Sequence, residues 1–348
     1  MVNSAKTRLL TTLNWFRSSW TNNPLFSTGM ALLVMIILQT LALGFNFPSV
    51  GAWFGTWVQN WINILRNNSA IGIVALGMTL VIISGGIDLS VGSMLVAIGA
   101  MLMMLIDTGP KGILLGFGLT GVPAFAIAIL VSLVMGAALG GLTGLLITAG
   151  KLPPFIATLG TMKIFRSVTQ QFMTGYNPIV PKPFLQIASF SIGKQLIMPI
   201  IYWLILALIL HVIFSRTKFG RQVVAVGSNE KATKLSGVSV KSVKNRVYAI
   251  IGILVGLAAV IQVSRIGAMD YANAGSGYEM DAISAVIVGG TRMSGGKGSI
   301  IGTVLGTLII AVMNNLLNLL GVPPFLREAF KGVIVIGAVL LQKKESLS

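Results

Sequence analysis

Apolar residues run through most of this chain in blocks too long for the core of a soluble domain. A membrane span needs about 20 mostly apolar residues. Ten blocks approach that pattern: 27–45, 62–84, 89–106, 120–148, 152–174, 196–214, 247–266, 282–297, 299–320 and 323–341. They predict an all-α integral membrane protein of about ten transmembrane helices, forming one transmembrane domain over 27–341 with broken or re-entrant segments. Block 152–174 is the weakest, because Lys163, Arg166, Gln170 and Gln171 interrupt it. Block 282–297 is short and Gly-broken, and reads either as a span or as a re-entrant segment. Residues 1–26 form a basic, aromatic leader. Leu9, Leu13, Phe16 and Trp20 share one helical face, and Arg8 and Arg17 suit headgroups, so the leader is expected to lie in the interface. A late apolar start followed by many more apolar blocks argues against a cleaved signal peptide. Residues 342–348 are expected to form a cytoplasmic tail.

Composition supports this. Charged residues make up 9% of the chain, where soluble domains carry about 25%, and the mean hydropathy is +0.89. The 41 glycines suit helices that pack backbone to backbone. A net charge of +17 would suggest nucleic acid in a soluble protein. Here the basic residues gather in short loops, which reports topology instead. With both ends cytoplasmic, the inside collects sixteen of them: Lys6, Arg8, Arg17, Lys151, eight within 215–246, Arg292, Lys297, Lys343 and Lys344. The outer loops collect only Lys111, Lys182 and Lys194. Cysteine is absent, which excludes disulfides and thiolate metal sites. The lone His211 has no ligand partner at helical spacing and reads as packing.

Two Gly-rich interruptions invite chemistry. "GGTRMSGGKGS" (289–299) resembles a phosphate cradle, but with Lys297 in frame the first Gly falls at Thr291 and the hydroxyl at Gly298. That frame is wrong for nucleotide binding. "VIISGGIDLSVGSM" (81–94) holds Gly85 and Gly86, which permit bends. Asp88 follows, as a cap for the next helix or as an ion or solute site, with Ser90 or Ser93 assisting either role. Asp107, Asp270, Glu279 and Asp281 fall in outer loops or at span edges, and Glu230, Glu328 and Glu345 complete the acidic set. No carboxylate pair lies inside a block, so an ion-driven carrier lacks its usual buried groups. No catalytic motif such as HExxH or GxSxG occurs.

The chain also echoes itself. "KLPPFIATLGTMKIF" (151–165) is similar to "GVPPFLREAFKGVIV" (321–335), each after a small-residue helix, "GLTGLLI" and "GTVLGTLII". On this topology one begins inside and the other outside, which predicts a partial inverted repeat. Gly136, Gly140, Gly144, Gly302 and Gly306 are expected as close-packing surfaces.

The stretch 215–246 is basic and ordered in pattern. Ser228 or Asn229 can cap a short helix over 230–236, which Gly237 ends. Here a resemblance becomes specific. "SGGIDLSVGS" (84–93), "SRTKFGRQVVAVGSNEKATKLSGV" (215–238) and "VIVGGTRMSGGKGSIIGT" (286–303) resemble hallmark segments of the permease subunits of bacterial ribose- and galactose-type ABC importers. The resemblance covers about residues 62 to 340; the leader and 46–61 fit it less well. It implies a multi-pass protein of the bacterial inner membrane with both termini cytoplasmic and no ATPase site of its own. A partner ABC ATPase would bind ATP and Mg, so no cofactor is expected on this chain. An external sugar-binding protein would deliver a monosaccharide, and a second permease copy or paralogue would complete a dimer in lipid. No nucleic acid is implied.

Carried over, Ser228, Asn229, Glu230, Ala232, Leu235 and Gly237 belong to a coupling helix seated on the ATPase. The fifth block would lie near the dimer axis, and Phe155, Thr158, Thr161, Met162 and Phe165 are candidates to line the translocation pathway, with Asn177 a weaker one. Ordinary bundle packing is the other reading of that face. Loops 170–195 and 268–281 are expected to dock the binding protein through Lys182, Lys194, Asp270, Glu279 and Asp281. The rival is a single-chain secondary transporter dependent on Asp88; a membrane enzyme or a regulated channel has less support.

Overall fold

The computed structural model describes residues 24–191 and 195–347. Fourteen helices account for most of them, and the described residues contain no strand. In chain order they are α1 (Pro24–Leu43), α2 (Val50–Ile83), α3 (Val91–Ile106), α4 (Ile113–Gly116), α5 (Gly121–Thr148), α6 (Pro154–Met173) and α7 (Lys182–Ser189). There follow α8 (Met198–Arg216), α9 (Lys218–Ser228), α10 (Glu230–Leu235), α11 (Val240–Ile266), α12 (Tyr278–Val288), α13 (Ile300–Leu319) and α14 (Pro324–Leu347).

Local chemistry sets the boundaries. Ser49, Ser239 and Ser299 each accept a backbone N–H from the first turn of α2, α11 and α13, satisfying donors that a helix leaves open. Proline opens α6 and sits in the first turn of α7 and α8, where its missing N–H costs nothing. Gly267 ends α11 at φ +73, a left-handed cap natural to glycine.

Among the described residues, six helices are long and apolar enough to cross a membrane: α1, α2, α5, α8, α11 and α13. The chain is a membrane protein, although length and apolarity mark fewer crossings than the ten blocks suggest. α2 and α11 form the centre, their apolar windows 78% and 72% buried; α1, α5 and α8 are 11%, 22% and 28% buried and turn Leu33, Leu130 and Leu208 outward. α11 packs most extensively on α5. Cβ atoms on Gly136 and Gly140 would strike the backbone at Gly252 and Tyr248, so these glycines act as the expected close-packing surface. Gly302 and Gly306 approach Gly289 and Ala285 in the same way, between α13 and α12.

The order of elements repeats. The series α1, α2, α3, α5, α6 is matched by α8, α11, α12, α13, α14. In each, a long central helix ends at a left-handed glycine, Gly85 (φ +80) or Gly267 (φ +73). An irregular segment then leads into a shorter buried helix, α3 or α12. Each series closes on a Pro-Pro-Phe start, with α6 packed on α3 and α14 packed on α12. α2 finishes beside the turn after α12, since Gly296 N–H donates to Ile83 O at 2.9 Å. α11 starts at that same end, where Lys244 meets Glu230 of α10. The two central helices therefore run oppositely, as the sequence echo predicts.

Several expectations change. Block 282–297 overlaps only the later part of α12, which starts at Tyr278 and is 11 residues and about 16 Å long, half a membrane thickness. The loop 268–281 was expected to dock a binding protein on the outside, but its part up to Gly277 runs inward along α3. Met269 packs where Gly99 leaves room, Tyr271 Oη lies 3.9 Å from Met103 Sδ, and Gly275 abuts Gly92. Block 62–84 begins too late, because α2 extends back to Val50. The expected tail is helical through Leu347. Residues 1–23 of the leader and Lys194 lie outside the described residues.

Candidate functional site

At the end of the bundle that gathers the basic loops, the two Gly-rich interruptions meet the end of α9. Gly296 N–H donates to Ile83 O, and Ser228 Oγ donates to Gly296 O at 3.5 Å. A Cβ on Gly227 would collide with Ile83 O, and one on Gly296 would press on Ser228. Segments far apart in sequence are thus fitted backbone to backbone. Gly290, Gly295 and Gly296 have φ of +85, +85 and +75, so "GGTRMSGGKGS" is a turn closed by Arg292 N–H to Lys297 O at 2.9 Å.

α10 stands on this plate. Asn229 caps it, its Oδ1 accepting Ala232 N–H at 2.9 Å. Gly237 ends it at φ +81, with Val238 N–H closing on Thr233 O at 3.3 Å. Both boundaries match the reading from sequence, Asn229 rather than Ser228 being the cap. Thr233 is buried, its hydroxyl on Asn229 O, while Ser228, Asn229, Glu230, Ala232, Leu235 and Gly237 are all exposed. Leu235 is 89% exposed. Glu230 pairs with Lys244 at 2.6 Å, a surface pair worth about 0–1 kcal/mol. The helix is held by its ends and offers its remaining faces to water. The preceding α9, missed in the sequence, is capped by Thr217, which accepts Gly220 N–H at 3.3 Å.

Asp88 is buried above the plate. Its Oδ1 accepts Ser90 N–H at 2.8 Å and Ser90 Oγ–H at 2.6 Å. It therefore fixes the turn ahead of α3 and does not cap the helix itself; Ser90 is the cap residue and makes no side-chain cap bond. Oδ2 has no hydrogen-bond partner. Tyr248 Oη donates to Ile87 O at 3.1 Å, and Gly86 leaves the space for that ring. These contacts start α3 well inside the bundle.

The start of α12 meets it there, with Gly275 against Gly92. Arg166 of α6 donates to Ala274 O at 2.6 Å and Tyr271 O at 3.3 Å, so the charge that weakened block 152–174 serves the carbonyls of an inward loop. Asp281 of α12 pairs with Lys331 of α14 at 2.8 Å, and Lys331 also reaches Glu328 at 2.9 Å. Asp281 is thereby buried and engaged, which removes it from the expected docking set, and Glu279 is half-buried beside Gly92.

The expected pathway residues separate. Thr158, Thr161 and Phe165 are buried where α6 packs on α3. The two hydroxyls donate within their own helix, to Pro154 O at 2.9 Å and Thr158 O at 3.2 Å. Phe155 is 55% exposed and Met162 half-exposed. The open face of α6 mixes Lys163, Ser167 and Gln171 with Phe155, Ile156, Ile164, Val168 and Phe172. Asn177 is exposed in the loop after α6. Among the described residues, no three His, Cys, Asp or Glu side chains gather as a metal site would need.

Residues 60–339 match the family described as branched-chain amino acid transport system / permease component. The ribose import permease of Escherichia coli is 38% identical over 91% of this chain and 92% of its own length. That of Bacillus subtilis is 42% identical over 82% and 85%, and the D-allose transport system permease of Escherichia coli is 35% identical over 85% and 87%. No solved structure matches the chain. With its Gly-rich plate and exposed short helix inside the matched range, the chain belongs to this family of transport-system permease components.

Proposed function

We propose that this chain is the transmembrane subunit of an ATP-driven ABC importer that carries a monosaccharide, a ribose-like pentose or a hexose, into the bacterial cytoplasm. The names of its relatives support the sugar class. The observation that carries the reading is α10: an exposed short helix seated on a plate that joins the ends of both repeats. Force on α10 passes through Gly227 and Ser228 to Ile83 and Gly296, and so to α2, α12 and α13 together. A partner ATPase holding ATP and Mg seats on Asn229, Glu230, Ala232 and Leu235, and its closure switches the permease between outward and inward states.

The basic loops then lie in the cytoplasm, as do both termini. The open face of α6 sets Lys163, Ser167 and Gln171 among exposed apolar side chains, and the charge and amide favour a protein or aqueous neighbour over lipid. It faces a second permease copy or paralogue, and Phe155 and Met162 reach the pathway between them. Thr158, Thr161 and Phe165 support that wall from behind. An external binding protein docks on the opposite end, where Lys111 and Lys182 are exposed.

Charge reversal of Glu230 and Lys234 combined with Leu235→Asp tests this. ATPase co-purification and sugar uptake are expected to be lost while thermal unfolding is unchanged; intact association contradicts the reading. The unpartnered Oδ2 of Asp88 in an inverted repeat favours one alternative, a single-chain secondary transporter. That reading predicts uptake that survives loss of the ATPase and stops with an uncoupler and with Asp88→Asn.

A further inference from the structure

The segment 267–277, most of which belongs to the loop 268–281 expected outside, lies deep in the bundle. Arg166, which holds Ala274 O and Tyr271 O, is twelve residues into α6, about 18 Å from the basic end. From the level of Met103 the segment descends to Gly92, a difference of about 16 Å along α3. α12, which it leads into, needs only about 16 Å to reach the basic end. The positions along α6 and α12 both put Ala274 to Gly277 about 16–18 Å from the basic end, near the middle of the membrane.

Irregular backbone at that depth is tolerated only when it is buried in protein or lines a water-filled space, because lipid offers no hydrogen bonds. This segment is buried on one side only. Gly275 is packed on Gly92, while Asp270, Ala272, Asn273 and Ser276 are exposed. Asp270 folds the segment, accepting Ala272 N–H at 3.0 Å and Asn273 Nδ2–H at 2.8 Å. That leaves the Asn273 amide oxygen and the Ser276 hydroxyl without an internal partner. Unpartnered polar groups at mid-membrane depth call for water or a polar solute.

We propose that 267–277 is the polar wall of the solute pathway at mid-membrane, and that Asn273 and Ser276 meet the hydroxyls of an uncharged polyhydroxylated solute there. This rests on the reading that solute crosses through this chain. An amide oxygen accepts and a serine hydroxyl both donates and accepts, a pairing suited to sugar hydroxyls. Glycine on both sides of Ser276 keeps the passage open and the backbone close to α3. Arg166 acts as a positioning residue: it holds the segment in place through two carbonyls and does not itself need to touch solute.

The chain has no cysteine, so an introduced thiol reports only its own position. Asn273→Cys and Ser276→Cys, in the membrane-inserted assembly, are expected to react with a charged, membrane-impermeant methanethiosulfonate about tenfold or more faster than Leu208→Cys on the lipid-facing side of α8, since only water-lined sites admit it. Labelling no faster than at Leu208→Cys overturns the proposal. In the assembled importer, Asn273→Ala and Ser276→Ala are expected to lower kcat/KM for ribose uptake about tenfold with ATPase association intact; unchanged uptake in both overturns the solute contact. A wild-type importer that carries no ribose counts against the proposed sugar class, and labelling still decides the position of the loop.

Discussion

Gly296 donates its backbone N–H to Ile83 O at 2.9 Å, and Gly227 is pressed against the same carbonyl so tightly that a Cβ would collide with it. One peptide oxygen at the end of α2 thus anchors the turn after α12 and the end of α9. A methyl group at 227 must push that plate apart. Gly227→Ala is expected to destabilise the protein by about 1–3 kcal/mol, seen as a lowered thermal midpoint in detergent. Gly141→Ala, on α5 with open space around it, should be neutral or stabilising by about 0.5–1 kcal/mol.

The pair formed by Lys331 and Asp281 binds α14 to the half-membrane helix α12. Removing only the lysine leaves a buried carboxylate alone, which costs about 3–5 kcal/mol. Lys331→Ala should therefore unfold well below wild type, and adding Asp281→Ala should restore much of the loss. A double mutant no more stable than Lys331→Ala would contradict the pairing.

α10 depends on its cap. Asn229→Ala removes the bond to Ala232 N–H and is expected to weaken this helix by about 1 kcal/mol. Global unfolding should hardly change, because α10 is mostly exposed, while ATP-dependent uptake should fall. Asn229→Asp, which keeps a capping oxygen, should retain most activity.

At the opposite end, Asp107 joins α3 to the loop after α6. Burial pushes its carboxyl up, but hydrogen bonds from Tyr176 Oη and from Gly109 and Ile179 N–H outweigh it and hold the group below its ordinary 3.8. A depressed folded value means that the stabilisation is present above the unfolded value and is lost as pH falls through the folded one. The link should open only below about pH 4, measured by hydrogen exchange around Ile179. Asp107→Asn should abolish this acid transition.

Sequence patterns exposed the parts of this fold that rest on local chemistry. Asn229 and Gly237 bound α10 through cap geometry, Gly136 and Gly140 mark a close helix contact, and the two Pro-Pro-Phe starts occupy matching places in the repeat. What escaped the sequence depends on distant partners. Asp270 and Asn273 look like an outer loop because polarity says nothing about depth. Arg166 looks like a defect in a span until the carbonyls of Tyr271 and Ala274 are seen beside it. Asp281 reads as a free charge because Lys331 lies fifty residues further on. Thr158 and Phe155 share a periodic stripe, yet α3 covers one and leaves the other open. The first turns of α2 were missed because their amides and aromatics dilute the apolar signal.

The central claim is that this chain has no energy source of its own and moves when a separate ATPase acts on α10. The most direct test is solute accumulation in liposomes that hold the purified chain alone, energised with proton and sodium gradients. The account predicts no accumulation until the ATPase and ATP are added. Uphill uptake by the chain alone would contradict it.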